Sequence, residues 1–324
     1  MASEHRLPRL DEVDAAARIV YRTMPATPQY RWPLLEQRAG CTVWVKHENH
    51  TPIGSFKLRG ALVAVERLRR ARPEVTGVIA ATSGNYGQSV AYAARAAGLS
   101  ATVVVPFGNA REKNAAMRAF GARLVEHGRD FDEALPHAQR LAERDGLHMM
   151  PSFHLDLVPG TATYGAELFR AIPDLHAVYV SIGLGSGICG VLAARDSLAP
   201  DTAVIGVVSA ALPVYERSFA AGEARETGPG DTVADGMAVR KTHPVSLELV
   251  LAGVARVVAV TETELRTAMR AYYTDTHNVA EGAGAAPLAA LLREREAMRG
   301  RRVALVLSGG NVDCELFAAV LAGS

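Results

Sequence analysis

Between residues 77 and 152 short β-branched runs alternate with longer helical patterns, and no other feature of the chain narrows its fold as much. Gly77–Thr82 (GVIAAT) reads as a strand, Tyr86–Ala97 as an Ala-rich helix closed by Gly98, and Ala101–Pro106 as the next strand. The pattern repeats with a helix over Glu112–Phe120 stopped at Gly121, a strand over Arg123–Glu126, a helix over Phe131–Arg144 ended near Gly146, and a strand over His148–Ser152. Strands separated by helices are joined by crossovers rather than hairpins, so the sheet they form is parallel and its faces are covered by the helices. Residues 77–152 are therefore expected to be a small α/β domain.

A second set follows Pro159 and Gly160: a helix over Tyr164–Ala171, a strand over Ala177–Ile182, a glycine loop, a helix over Ile188–Ser197 and a strand over Ala203–Ser209. After a polar surface loop (Gly222–Gly230) and an irregular stretch (Val233–Arg240) come helices over Thr263–Tyr273 and Ala285–Arg295, a buried strand over Val303–Leu307 and a closing helix over Cys314–Leu321. Residues 1–76 and 153–324 are expected to form a larger α/β domain around the smaller one. A chain of 324 residues that is 49% hydrophobic can bury the core of two such domains. Its 35 Lys and Arg nearly cancel 34 Asp and Glu, which leaves no net field to hold nucleic acid or an anionic membrane, so a small-molecule partner is expected. The N-terminus lacks the apolar stretch of a secretory signal, and no apolar run reaches the ~20 residues of a spanning helix. Cys41, Cys189 and Cys314 are odd in number and lack metal-ligand spacing, which argues against a disulfide framework or a zinc site and for a reducing cytoplasm.

Four segments put glycine or a small polar residue where a strand hands over to a helix, the junctions at which α/β proteins bind ligands. Gly54-Ser55-Phe56-Lys57-Leu58-Arg59-Gly60-Ala61 sets a lysine beside an aromatic ring at a helix start. Taken alone, Lys57 reads more readily as a solvated surface lysine. Thr82-Ser83-Gly84-Asn85-Tyr86-Gly87-Gln88 opens a helix directly after a strand, so its amides form an anion site, although Ser83 or Asn85 acting as a helix cap explains the segment as well. Gly183-Leu184-Gly185-Ser186-Gly187-Ile188-Cys189-Gly190 is suited to phosphate. Gly185, Gly187 and Gly190 also fit the dinucleotide spacing G-x-G-x-x-G, but the following strand ends Val207-Val208-Ser209-Ala210-Ala211 without the acidic residue that a ribose requires. The fourth segment, Leu307-Ser308-Gly309-Gly310-Asn311, is by itself an ordinary strand-end turn.

Together, and in this order over about residues 20 to 320, these segments resemble the serine/threonine dehydratases, a family of β-hydroxy-α-amino acid dehydratases among the fold-type II pyridoxal-phosphate enzymes. The resemblance implies a two-domain fold like that of the tryptophan synthase β subunit, each domain a largely parallel sheet flanked by helices, and pyridoxal 5'-phosphate as cofactor. It implies that Lys57 forms the cofactor Schiff base and that Phe56 lies against the cofactor ring. Ser83, Gly84 and Asn85 would hold the substrate carboxylate, with Asn85 also on the cofactor's phenolic oxygen. Gly183, Gly185, Ser186 and Gly187 would bind the phosphate, and Ser308 would meet the pyridine nitrogen. Ala234-Asp235-Gly236 and Glu281-Gly282-Ala283-Gly284 resemble family segments that line the cofactor cleft. Tyr86 stands where family members usually have His, which alters the surroundings of the carboxylate loop, and it is expected beside Ser83, Gly84 and Asn85 among the substrate-binding residues. Where some relatives bind a divalent metal through a Glu and an Asp, this chain has Ser209 and the acid-free run Ala210–Tyr215, so no metal is expected.

A lysine freed by an incoming amino acid becomes a base for the α-proton, with Lys57, Ser83 and Ser308 as the catalytic set. A neutral hydroxyl at Ser308 would favour loss of the β-hydroxyl, and the expected products are a 2-oxo acid and ammonia. Amino-acid racemisation with Ser83 as second proton donor and β-replacement remain open on the same scaffold, as does a non-catalytic cofactor- or amino-acid-binding regulator. The Lys46-His47-Glu48-Asn49-His50-Thr51-Pro52 run resembles the phenylserine dehydratase branch. The chain ends soon after Ser308, so a C-terminal effector domain is not expected and a catabolic role fits better. Relatives of this kind are often homodimers.

Overall fold

A computed structural model describes residues 5–82 and 84–323, with the side chain of Asp132 left aside. Ser83, expected in the carboxylate loop, lies outside the described residues. Ten strands, β1 (Gln29–Arg31), β2 (Thr42–His47), β3 (Gly77–Ala81), β4 (Ser100–Val105), β5 (Ala122–Glu126), β6 (His148–Met149), β7 (Ala177–Ser181), β8 (Ala203–Ser209), β9 (Arg256–Val260) and β10 (Arg302–Leu307), make two sheets among the described residues. The smaller, ordered β5-β4-β3-β6, is parallel throughout; the larger, ordered β1-β2-β10-β7-β8-β9, is parallel except for β1. Two α/β domains follow.

Both sheets are covered on both faces, as parallel sheets require. In β10, Val303, Leu305 and Leu307 enter one buried cluster with helices Glu262–Thr276 and Gly282–Arg293. The alternate residues Ala304 and Val306 enter another with helices Val158–Ala171 and Ser186–Leu198, since successive side chains point to opposite faces. The same alternation splits Val78 and Ala80 from Ile79 and Ala81 in β3.

Of the expected boundaries that move, two do so for a plain physical reason. The strand expected to reach Ser152 pairs only over His148–Met149, followed by a single bond from the Met150 amide to Ile79, because Pro151 has no amide to continue the ladder. The helix expected from Tyr164 begins at Val158, because Pro159 falls in its first turn, where an amide is not needed. Gly160 in that turn is a contact rather than a break: a Cβ there would stand 2.3 Å from the Arg59 carbonyl oxygen. Its absence lets helix Val158–Ala171 lie close against helix Lys57–Ala71, which fixes the segment that carries Lys57.

Candidate active site

The four segments converge beside the C-terminal ends of the strands. After β2 the chain makes a short 3-10 turn (Glu48–His50) and enters helix Lys57–Ala71 with Lys57 as its first residue. The entry is stitched to the loop after β10, since Phe56 N–H donates to the Ser308 carbonyl at 3.0 Å and Ser55 bridges to Gly309. Lys57 Nζ lies 3.4 Å from Ser186 Oγ and 5.0 Å from the centre of the Phe56 ring. Burial pulls the Lys57 amine down to about 8, a shift that the negative charge of Glu281 partly opposes. A large share of the amine is therefore unprotonated at mildly alkaline pH, as a nucleophile or base must be.

Ser186 and Gly187 open helix Ser186–Leu198, and the first amides of a helix have no partner within it. With the positive helix end behind them they form an anion cradle. Gly185 takes φ +105°, and a Cβ on it would strike Ser246 at 2.6 Å. Ser246 is hydrogen-bonded to Tyr215, whose hydroxyl donates to the Leu184 carbonyl, so the loop is held from outside. On the inner side Tyr164 donates to the Gly187 carbonyl at 2.9 Å and meets Phe56 edge-on. A Cβ on Gly187 would come within 3.1 Å of the Phe56 ring. Gly183 lies against Gly236 in the irregular stretch after the polar loop, where a Cβ would meet the Gly236 carbonyl oxygen at 2.3 Å. Ser308, 5% exposed, hydrogen-bonds Ser181 at 3.4 Å; a neutral pair of hydroxyls, not a carboxylate, closes the ends of β10 and β7.

From the smaller domain, Asn85 begins helix Asn85–Ala96 and donates to Glu281 Oε1 at 2.7 Å, while its own Oδ1 accepts from Asn311 at 2.8 Å. Glu281 is the N-cap of helix Gly282–Arg293, and burial, reinforced by the negative charge of Asp235, raises its carboxyl to about 7 against the pull of Lys113 and Asn85. Tyr86 is placed differently from its neighbour. Its ring packs in the core of the smaller sheet and its hydroxyl is taken by the Pro151 carbonyl at 2.7 Å.

Three participants carried little or no signal in the sequence. Lys113 donates to Asp235 and lies 3.8 Å from Glu281, but in Arg111-Glu112-Lys113 it reads as part of a solvated charge run. Tyr164 and Tyr215 read as core. A lysine of lowered pKa, an aromatic wall, a helix-start anion cradle and a neutral serine floor are the donor set that pyridoxal phosphate needs, namely an amine for its aldehyde, amides for its phosphate and a hydroxyl for its ring nitrogen. Among the described residues there is no group of three or more His, Cys, Asp or Glu side chains suited to a metal ion, and no helix is long and apolar enough to cross a membrane.

Comparison with known proteins gives the class. Residues 21–309 match the family model of pyridoxal-phosphate dependent enzymes, and the chain belongs to that family. It is 34% identical over 313 residues to the L-threonine ammonia-lyase of Thermotoga maritima, covering 96% of this chain and 78% of that one. It is also 34% identical over 298 residues to the L-threo-3-hydroxyaspartate ammonia-lyase of a Pseudomonas species, covering 92% of this chain and 93% of that one. A solved pyridoxal 5'-phosphate-dependent aspartate racemase superposes with a TM-score of 0.89 at 28% identity, covering 95% of this chain and 97% of that one.

Proposed function

We propose that this chain is an ammonia-lyase that eliminates water from a β-hydroxy-α-amino acid such as threonine, serine or phenylserine, releasing a 2-oxo acid and ammonia. The observation that carries the reading is the pairing of a low-pKa lysine, Lys57, with a floor of two neutral serines, Ser308 and Ser181. Bound pyridoxal phosphate supplies an electron sink for the Cα–H bond. Lys57 anchors it and, when released, takes and holds the α-proton at Nζ. Ser186 and Gly187, with Gly183 and Gly185 shaping the turn, would hold the phosphate, and Phe56 would limit movement of the cofactor ring. Ser308 would hydrogen-bond the ring nitrogen without fixing a proton there as a carboxylate would, which favours departure of the β-hydroxyl. Asn85 and Gly84 orient the α-carboxylate, and Glu281 orients Asn85.

The reading extends to residues 77–152 as the smaller domain, supported by the four-stranded sheet whose strands all lie within them, to a homodimer, and to the cytoplasm, which the free thiols of Cys41, Cys189 and Cys314 suit. A panel of serine, threonine, phenylserine and 3-hydroxyaspartate, assayed for 2-oxo acid and for D-amino acid, tests it. Oxo-acid release from one of the first three supports it. D-amino acid as the main product, or turnover only with an added nucleophile, replaces it with racemisation or β-replacement. No turnover with cofactor bound makes the chain a regulator. Lys57→Ala is expected to remove the near-visible absorbance of bound cofactor and nearly all turnover, and retained turnover would sink the assignment of the base.

A further inference from the structure

Helix Arg111–Ala119 begins with a cation where a helix disfavours one. Lys113 lies in the first turn, at the positive end of the dipole, and is 5% exposed. Burial also opposes its charge, yet Glu281 and Asp235, with Asp313 further off, outweigh burial and hold its pKa above the ordinary lysine value. Its ammonium donates to Asp235 in the larger domain and stands 3.8 Å from Glu281 Oε2, a buried oxygen with no hydrogen-bond partner. The other Glu281 oxygen holds Asn85. The same ammonium also faces the loop directly, because a Cβ on Gly84 would lie 3.9 Å from Lys113 Nζ and 3.6 Å from Asp235 Oδ2. Lys113 thus reaches the Gly84–Asn85 turn by two routes, one through space and one through Glu281.

We propose that Lys113 is a positioning residue for the substrate: by holding Glu281 and Asp235 it fixes the Gly84–Asn85 turn against the larger domain and sets how tightly that turn grips the α-carboxylate. The proposal rests on the reading of this turn as the carboxylate site. An ammonium that both its helix and its burial disfavour stays where it is because of the opposing carboxylates, so its removal takes the donor from Asp235 and lets the buried Glu281 take up a proton, which alters how Glu281 holds Asn85 in the turn.

The test uses the holoenzyme and four variants, with steady-state kinetics and amide hydrogen exchange of the first turn of helix Asn85–Ala96 in the absence of substrate. Lys113→Met is expected to raise KM about tenfold, the loss of one charge-assisted contact, with kcat changed by less than about threefold and faster exchange in that turn. Lys113→Arg, which keeps the charge, is expected to bring KM back to within about threefold of wild type. Should Lys113→Met fail to fold, Asp235→Asn at a partly exposed position is expected to raise KM about threefold and to speed the same exchange. Wild-type KM and exchange in Lys113→Met, a loss confined to kcat, or equal losses in the Met and Arg variants would each overturn the proposal. In that event Asn85→Ala separates the two readings. A raised KM leaves the carboxylate site standing and removes only Lys113 from it, whereas an unchanged KM removes both.

Discussion

Two clusters of buried charge flank the turn that carries Lys57, and they are built on opposite terms. Beneath helix Lys57–Ala71, Arg59 and Lys46 face Glu48 and Glu167, two cations against two carboxylates, with no side chain more than 7% exposed. Arg59 donates to Glu48 at 2.7 and 3.0 Å, to Glu167 at 2.6 and 3.0 Å and to Thr163 at 2.8 Å, while Lys46 reaches Glu167 and the Thr27 carbonyl. Across the cleft mouth Lys113 is the cation ion-paired with Asp235 and Glu281, one of them 39% exposed and the other carrying an unpartnered oxygen. A cluster that is neutral, buried and fully bonded has one arrangement and serves as a footing. A cluster with one cation for two carboxylates has donors to spare for nobody and acceptors left over, so its arrangement responds to what enters the cleft.

The comparison breaks most visibly at Arg59. Arg59→Met leaves Glu48 and Glu167 with Lys46 alone, and a buried network that loses one partner is expected to cost about 3–5 kcal/mol in urea unfolding. A loss under about 1 kcal/mol would show that the network is not a footing. Glu281→Gln probes the second cluster through pH. The Glu281 carboxyl titrates near 7 in the folded protein against an ordinary 4.5, so the stability tied to its neutral form is complete below about 4.5 and is lost as pH rises through 7. The difference in unfolding free energy between wild type and Glu281→Gln should therefore move against the wild type across that window, and a flat difference would refute the raised pKa. The smallest expected effect is Asp235→Asn: a partly exposed pair contributes under about 1 kcal/mol, so its thermal unfolding should shift far less than that of Arg59→Met, even where its KM responds. Equal shifts would mean that both clusters are structural.

Alternation of strand and helix over 77–152 and 177–209 was legible residue by residue, because hydrophobic periodicity is a property of neighbours in the chain. So were the glycine and serine junctions at 84–87, 183–187 and 308–311, since a tight handover from strand to helix demands small residues wherever it occurs. The strand Thr42–His47 was not legible as one. Lys46 and His47 interrupt its apolar pattern, and their burial rests on distant partners: Glu167, 121 residues away, and the Thr27 carbonyl accept from Lys46, and Trp32 donates to His47. Pro159-Gly160 read as a break because the sequence does not reveal that another helix's backbone, at Arg59, needs the space.

The sequence by itself determined the fold class, which depends on local spacing and residue size, and the resemblance carried by its ordered segments pointed to Lys57 and the loops around it as the candidate site. Only the tertiary structure decided which charges are buried and with whom. Lys113 and Asp235 are 122 residues apart, and Asn85 and Glu281 are 196 apart. A lysine on a helix is written the same way whether it faces water or a carboxylate from the opposite domain, and the difference arises from packing that brings distant segments into one low-dielectric space.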